Sequence, residues 1–409
     1  MNKTAKYFLI DNMLAMGCFW ACTGLAIASL TKYYNIPLEF ANLLTTLPST
    51  LCLFQLVGGM CFGKSNNKHT LLYVCNFVWR VLLPIIFLSV VFPKKLGMVV
   101  FLISALGFVA IYNFVAPSTF DWMLSHTEGK VENNYYSKRE MAFCFGFAII
   151  FPIVTLVLYY AGVFEKDFLG YIVLGVFTFV LVAISIYCLS NLPKYSVETV
   201  QKKKVKILND YKKIIRDKNF VKFLVAGFVW SMSCMFIGGF SNVYQVRTVS
   251  ISFMSITIWT SIGTILRMLG IPICAKYAKK YTWKKIVASM YLLNVILGIF
   301  WMVVNKNNMY FIYPIIALLA AVPNAGISVG ILRIQMEIIP NEKRSIYLSA
   351  YATIGGLGAI LGTILSSTMI KAIDTIFKSE EYLRLIFFVG VILVGITILI
   401  FGKLKSDCK

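Results

Sequence analysis

The chain of 409 residues is 59% hydrophobic and 14% charged, with a mean hydropathy of +0.79, whereas soluble domains sit nearer roughly 45–50% apolar and about 25% charged. Those proportions exclude a string of water-soluble catalytic domains and indicate one polytopic membrane unit. The formal net charge of +22 reports orientation and contact with anionic lipid head groups once it is placed on a topology, and not a nucleic-acid partner.

Twelve apolar stretches run through the chain, at 7–30, 38–62, 71–92, 97–118, 140–161, 168–192, 220–243, 250–274, 285–304, 309–333, 346–370 and 383–402. Each is long enough for a helix to cross a hydrocarbon core of about 30 Å. One basic segment divides them into two sets of six. The pattern predicts an all-α membrane protein of twelve transmembrane helices: an N-terminal six-helix bundle over 1–192, a basic cytoplasmic linker over 193–219 and a C-terminal six-helix bundle over 220–409. That is the layout of a transporter made of two parallel repeats, with its substrate site between them. In the linker, Ile207, Tyr211, Ile214 and Ile215 fall at i, i+4, i+7 and i+8 with lysines between them, which predicts an amphipathic helix on the inner membrane face.

With both termini cytoplasmic, the inside segments hold 27 of the 39 Lys and Arg residues and the outside loops hold 9; Arg80, Arg267 and Arg333 fall within spans. This is the positive-inside distribution. The opening residues Lys3 and Lys6, followed by Ala26-Ile27-Ala28, imitate a secretory signal. The apolar run is too long for one, Asp11 interrupts it and eleven spans follow, so it reads as a retained first span. Ten scattered cysteines and two histidines, His69 and His126, offer neither a metal site nor a disulfide framework. No phosphate-cradling glycine loop or nucleophile–base constellation is present. The expectation is a protein that is not an enzyme and uses no cofactor.

Small residues and prolines punctuate the spans. Gly59 with Gly63, and Gly358 with Gly362, form small-xxx-small pairs suited to close helix approach in lipid. Pro48, Pro84, Pro152, Pro272, Pro314 and Pro323 should bend their helices. A charge at the centre of a span costs about 2.5–3.5 kcal/mol on insertion scales and needs a partner or water. Asp11, the one acid clearly inside a span, lies about 6 Å deep and Arg80 about 15 Å deep at 1.5 Å per residue. The pair is read either as a titratable switch or as a fixed ion pair between the first and third helices. Asp121, Glu140 and Glu337 sit at cytoplasmic span ends, with Glu140 second to Asp11 as a proton carrier. Arg267 has no acid nearby in sequence. It is either an unpaired cavity cation, offering a planar fork to a carboxylate or phosphate, or a side chain snorkelling to the interface.

The second-to-third connection reads Gly59-Met-Cys-Phe-Gly63-Lys64-Ser-Asn66-Asn67-Lys68, and the eighth-to-ninth reads Ala275-Lys-Tyr-Ala-Lys279-Lys280-Tyr-Thr282-Trp-Lys284-Lys285. Both resemble the G-x-x-x-D-R-x-G-R-K loop of the major facilitator superfamily, at equivalent places in the two halves. Gly63 and Lys279 replace the usual acid, while Lys64, Lys68, Lys280, Lys284 and Lys285 keep the basic character. Asp11, Arg80, the stretch Trp122-Met123 to Arg139, and Pro340 to Tyr347 with Arg344 are similar to a mostly bacterial group of that superfamily. The resemblance implies the superfamily's twelve-helix fold, gating at these loops, and a cavity between the first, fourth, seventh and tenth helices with the eighth at its border. It places Trp20, Asn113, Trp230, Asn242, Gln245 and Asn324, with Arg267, as candidates for substrate contact. The marks of drug/proton antiporters are missing: the fourth span has no arginine, and of the fifth-span motif only Gly146 and Pro152 remain. The expected function is secondary active transport of a small organic solute, anionic by the Arg267 reading and coupled to protons, in the bacterial inner membrane. The expected partners are that solute, protons and membrane lipids, and a monomer is expected. A lipid or lysolipid flippase or drug exporter of the same fold is the alternative. A non-transporting sensor or assembly partner is the alternative of another class.

Overall fold

The computed structural model describes residues 3–65, 67–127, 132–194, 216–278, 280–339, 344–377 and 380–405, and among these there are helices and short connections but no strand. Among the described residues ten helices are each long and apolar enough to cross a membrane, and two bent pairs, each counted as one span, bring the number to twelve. The first span is the pair Lys3–Cys22 and Leu25–Tyr33, bent by 43°. The break falls at Gly24, whose φ of +60° is a conformation that glycine reaches without steric penalty. The second span bends by 54° between Leu38–Thr45 and the helix that follows, with Pro48 in the first turn of Leu47–Thr50. The hydropathy pattern marks each as one span, and the bend at Pro48 is the one the sequence predicts. Proline marks the second bend in the sequence, whereas the first depends on one glycine's backbone.

The remaining spans are Lys68–Val91, Lys94–Phe120, Lys138–Val163, Asp167–Ser190, Lys218–Thr248, Phe253–Ala278, Trp283–Val303, Met309–Ile338, Ala350–Phe377 and Tyr382–Gly402. The fourth, fifth and eleventh belong to longer helices, Lys94–Thr127, Glu132–Val163 and Arg344–Phe377, which extend past the apolar runs. The seventh span contains two π-helical turns, Met235–Gly239 and Tyr244–Thr248. Large apolar side chains face outward, Ile103 at 65% and Leu399 at 70% exposure among them, as a lipid-facing surface requires.

The packing repeats. In the first six spans the main contacts are first with fifth, second with fourth, third with fourth, third with sixth and first with sixth. In the last six they are seventh with eleventh, eighth with tenth, ninth with tenth, ninth with twelfth and seventh with twelfth, the same set shifted by six. Glycines make the equivalent approaches. A Cβ on Gly146 would stand 2.2 Å from the Met13 carbonyl oxygen, and one on Gly358 would stand 2.2 Å from that of Phe228. Likewise Gly58 lies against Phe114, and Gly263 against Ala317, of the neighbouring helices. The Gly358–Gly362 face predicted from spacing is this contact. Of the Gly59–Gly63 pair, Gly59 is exposed, and its neighbour Gly58 makes the close approach. The two halves meet mainly along the fifth and eighth spans and along the second and eleventh. The linker stretch with Ile207, Tyr211, Ile214 and Ile215, and Lys279 of the eighth-to-ninth loop, lie outside the described residues.

Candidate functional site

A hollow of about 700 Å³ lies between the halves, within the range of small-molecule sites. On the side away from the termini it is closed by hydrogen bonds from one half to the other. Asn42 Nδ2 donates to Ser367 Oγ at 2.9 Å and Ser366 Oγ at 3.2 Å. Thr257 Oγ1 donates to Thr155 Oγ1 at 2.6 Å, and Arg247 donates to the Ile36 carbonyl at 2.9 Å. Toward the termini the hollow continues into a second one of about 340 Å³, which shares Asn12, Met16 and Arg139 with it and has walls from both halves. A third, of about 410 Å³, lies mostly in the second half and shares Asn242, Gln245, Arg267 and Asn324 with the first.

Two ion pairs stand at this cavity, and they differ in kind. Arg80 and Asp11 are 2% and 7% exposed. One guanidinium nitrogen donates to both Asp11 carboxylate oxygens at 2.9 Å, and the other donates to Asn76 Oδ1 at 2.7 Å and the Asn76 carbonyl at 2.9 Å. The Nε donates to Ser185 Oγ at 2.9 Å, and Ser185 donates in turn to Asp11 at 2.7 Å. Trp79, its ring under the guanidinium at 4.5 Å, bonds the same Asn76 oxygen, and Asn76 Nδ2 reaches Thr119. All three nitrogens of the fork donate, in five hydrogen bonds. The network ties the first, third, fourth and sixth spans of one half together.

The second pair corrects the reading of Arg267. It is neither unpaired nor snorkelled to the interface: its guanidinium donates to Glu140 Oε1 and stacks over Phe143 at 5.4 Å. The pair joins the fifth span of one half to the eighth of the other. Its side chains are 23% and 21% exposed, and both residues line the central hollow. Arg267 Nε is buried without a partner. The cavity cation with no acid paired to it among the described residues is Arg139, which lines the first two hollows and lies over the Phe120 ring at 5.2 Å. The lining of the 700 Å³ hollow therefore holds two arginines and one carboxylate, Glu140.

Trp20, Asn242, Gln245, Asn324 and Arg267 line the central hollow, and Trp230 lines the third. Asn113 does not face the cavity, which corrects its reading as a substrate contact. It is 1% exposed, and its amide is used on Val109, Pro48 and Gln55. Gln55, one helix away, is the residue that reaches the lining. At the gating loops, Gly59, Gly63 and Lys64 end the helix Phe54–Lys64, Lys68 opens the third span, and Arg344 opens the eleventh. Lys280 sits over the Tyr281 ring at 5.1 Å, Lys285 is exposed, and Lys284 donates to the Leu404 carbonyl after the last helix. Among the described residues no cluster could hold a metal ion.

Residues 12–363 match the family model described as Major Facilitator Superfamily. Among solved structures, a point mutant of the nucleoside transporter NupG superposes with a TM-score of 0.71 at 12% identity, covering 99% of this chain and 100% of that one. The unmutated NupG gives 0.65 at 13% identity, over 98% of each chain. A D-xylose–proton symporter gives 0.70 at 14% identity, over 98% of this chain and 97% of that one. At these identities the likeness shows the fold. No curated protein matches the chain in sequence.

Proposed function

The chain belongs to the Major Facilitator Superfamily and is a secondary transporter of it, and from that premise we propose that it moves a small organic anion together with a proton by alternating access across the plasma membrane. The observation that carries this reading is the Glu140–Arg267 pair. It is the ion pair that bridges the halves among the described residues, and it is open to the cavity. A proton on Glu140 removes its charge and releases the Arg267 fork. An anionic group on the solute then takes the carboxylate's place, because a planar fork is matched by any carboxylate or phosphate edge. Proton and anion thus favour each other's binding, which is the linkage that coupling needs. Rocking follows if the loaded and empty sites differ in their preference for the two arrangements.

Asp11–Arg80 is read as a fixed brace. All its donors are satisfied within one half, so rocking of the halves does not need to open it. The excess of Lys and Arg on the side of the termini supports a cytoplasmic position for both. The halves complete the cavity within one chain, which supports a monomer as the working unit. The test is uptake into proteoliposomes loaded with a pH-sensing dye and exposed to a panel of small carboxylates. A carboxylate that acidifies the lumen with wild type but not with Glu140→Gln supports the reading. No carboxylate-dependent proton movement across the panel overturns it.

A further inference from the structure

The second half lines the cavity with carboxamides whose hydrogen-bonding capacity is unspent. Gln245 is 5% exposed, its Oε1 is buried with no partner, and its side chain makes no hydrogen bond among the described residues. Asn324 is exposed to the same hollow and likewise makes none. Asn242 and Asn294 each use only Nδ2, on the Gly238 and Met290 carbonyls of their own helices. All four line the 410 Å³ hollow. Gln245 sits in the second π-helical turn of the seventh span, Tyr244–Thr248, and such turns recur where a side chain is re-aimed at a functional site. A buried amide oxygen without a hydrogen bond opposes folding, which is the case of Gln245 Oε1; with Asn324 and the free oxygens of Asn242 and Asn294 on the same wall, it points to a ligand that completes them.

We infer that the substrate is a polyhydroxylated organic anion, its anionic group held at the arginine side of the central hollow and its hydroxyls on the amide wall around Gln245. The inference rests on the reading of this cavity as an anion site and names the rest of the molecule. A hydroxyl is both donor and acceptor, as a carboxamide is, so each pairs reciprocally with the other. An apolar tail would leave the amides unsatisfied. A second anionic group would find no further cation in the third hollow, whose one charged lining residue among the described residues, Arg267, is taken by the first. Arg139 and Gln245 both line the 700 Å³ hollow, so one small molecule can face both walls.

The experiment measures binding to the purified full-length protein by thermal shift at constant ionic strength. The probes are gluconate and glucuronate, the matched apolar anions hexanoate and cyclohexanecarboxylate, and neutral sorbitol. The hydroxylated anions are expected to bind at least about tenfold tighter than the apolar ones, since a site built for hydroxyls discriminates against analogues that lack them. Gln245→Leu should remove that preference and leave the apolar anions unchanged. Asn324→Leu, at an exposed cavity position, gives the same readout should Gln245→Leu fold poorly. Equal affinity for both kinds of anion overturns the amide wall and leaves the anion site standing. Binding of sorbitol but of no anion upholds the amide wall and overturns the anion site. Failure of every hydroxylated probe to bind overturns the inference.

Discussion

Asp11 and Arg80, 69 residues apart, meet at 2.9 Å in a network that gives every guanidinium nitrogen a partner. Removing one partner strands a buried charge, so Asp11→Asn or Arg80→Gln should lower stability by about 3–5 kcal/mol. Replacing both, as Asp11→Leu with Arg80→Met, should recover part of that loss. Thermal unfolding of the purified variants checks this. An Asp11→Asn protein as stable as wild type but without proton-driven uptake would instead make Asp11 the switch.

The glycine approaches predict a sharp contrast. Gly358→Ala places a methyl group against the Phe228 carbonyl, and Gly146→Ala places one against that of Met13. Each should cost about 1–3 kcal/mol or more through overpacking. Gly395 has nothing within 4 Å of an added Cβ, so Gly395→Ala should be neutral or stabilising by up to about 1 kcal/mol through helix propensity. Monodispersity and melting temperature report the difference. Equal behaviour of the three would contradict close helix apposition at Gly146 and Gly358.

Orientation follows from charge. In a cysteine-free background, Lys306→Cys should react with an impermeant reagent added to intact cells, and Lys203→Cys should be protected. The reverse pattern would invert the topology and place the cavity mouth on the outside.

The sequence carried the spans because hydropathy is summed over some twenty residues and survives local irregularity. Asp11 and Arg80 were legible as partners because charges in lipid have few ways to be satisfied. The break at Gly24 was not legible, since only the backbone dihedral distinguishes it from other glycines in spans. Nor was Arg267 with Glu140: 127 residues separate them, and spacing along one helix says nothing of its register against another. Arg139 stands beside Glu140 in the sequence as the last residue of a loop stretch, and nothing in that pattern marks it as a cavity cation. Ser185 and Gln55 carried no signal beyond a polar residue in an apolar run. Asn113 carried the same signal as Asn324, yet one turned inward to its own helix and the other to the cavity.

Arg267 and Glu140 also differ in what each removal should do. Arg267→Lys keeps the charge and loses the planar fork, so it should retain more transport than Arg267→Ala. Arg267→Ala leaves Glu140 without its partner and takes a donor from the solute. Initial rates of uptake of the identified anion separate the two, and a wild-type rate for Arg267→Ala would remove this residue from the site.

The central claim, that the Glu140–Arg267 pair couples a proton to an anion, is tested most directly in liposomes with Glu140→Gln. Two fluxes are measured on the same preparation: uptake driven by an imposed proton gradient, and counterflow of labelled against unlabelled anion with no gradient. Glutamine imitates the protonated carboxyl and cannot release a proton, so gradient-driven uptake should be lost while counterflow continues. Gradient-driven uptake at the wild-type rate in Glu140→Gln would contradict the account.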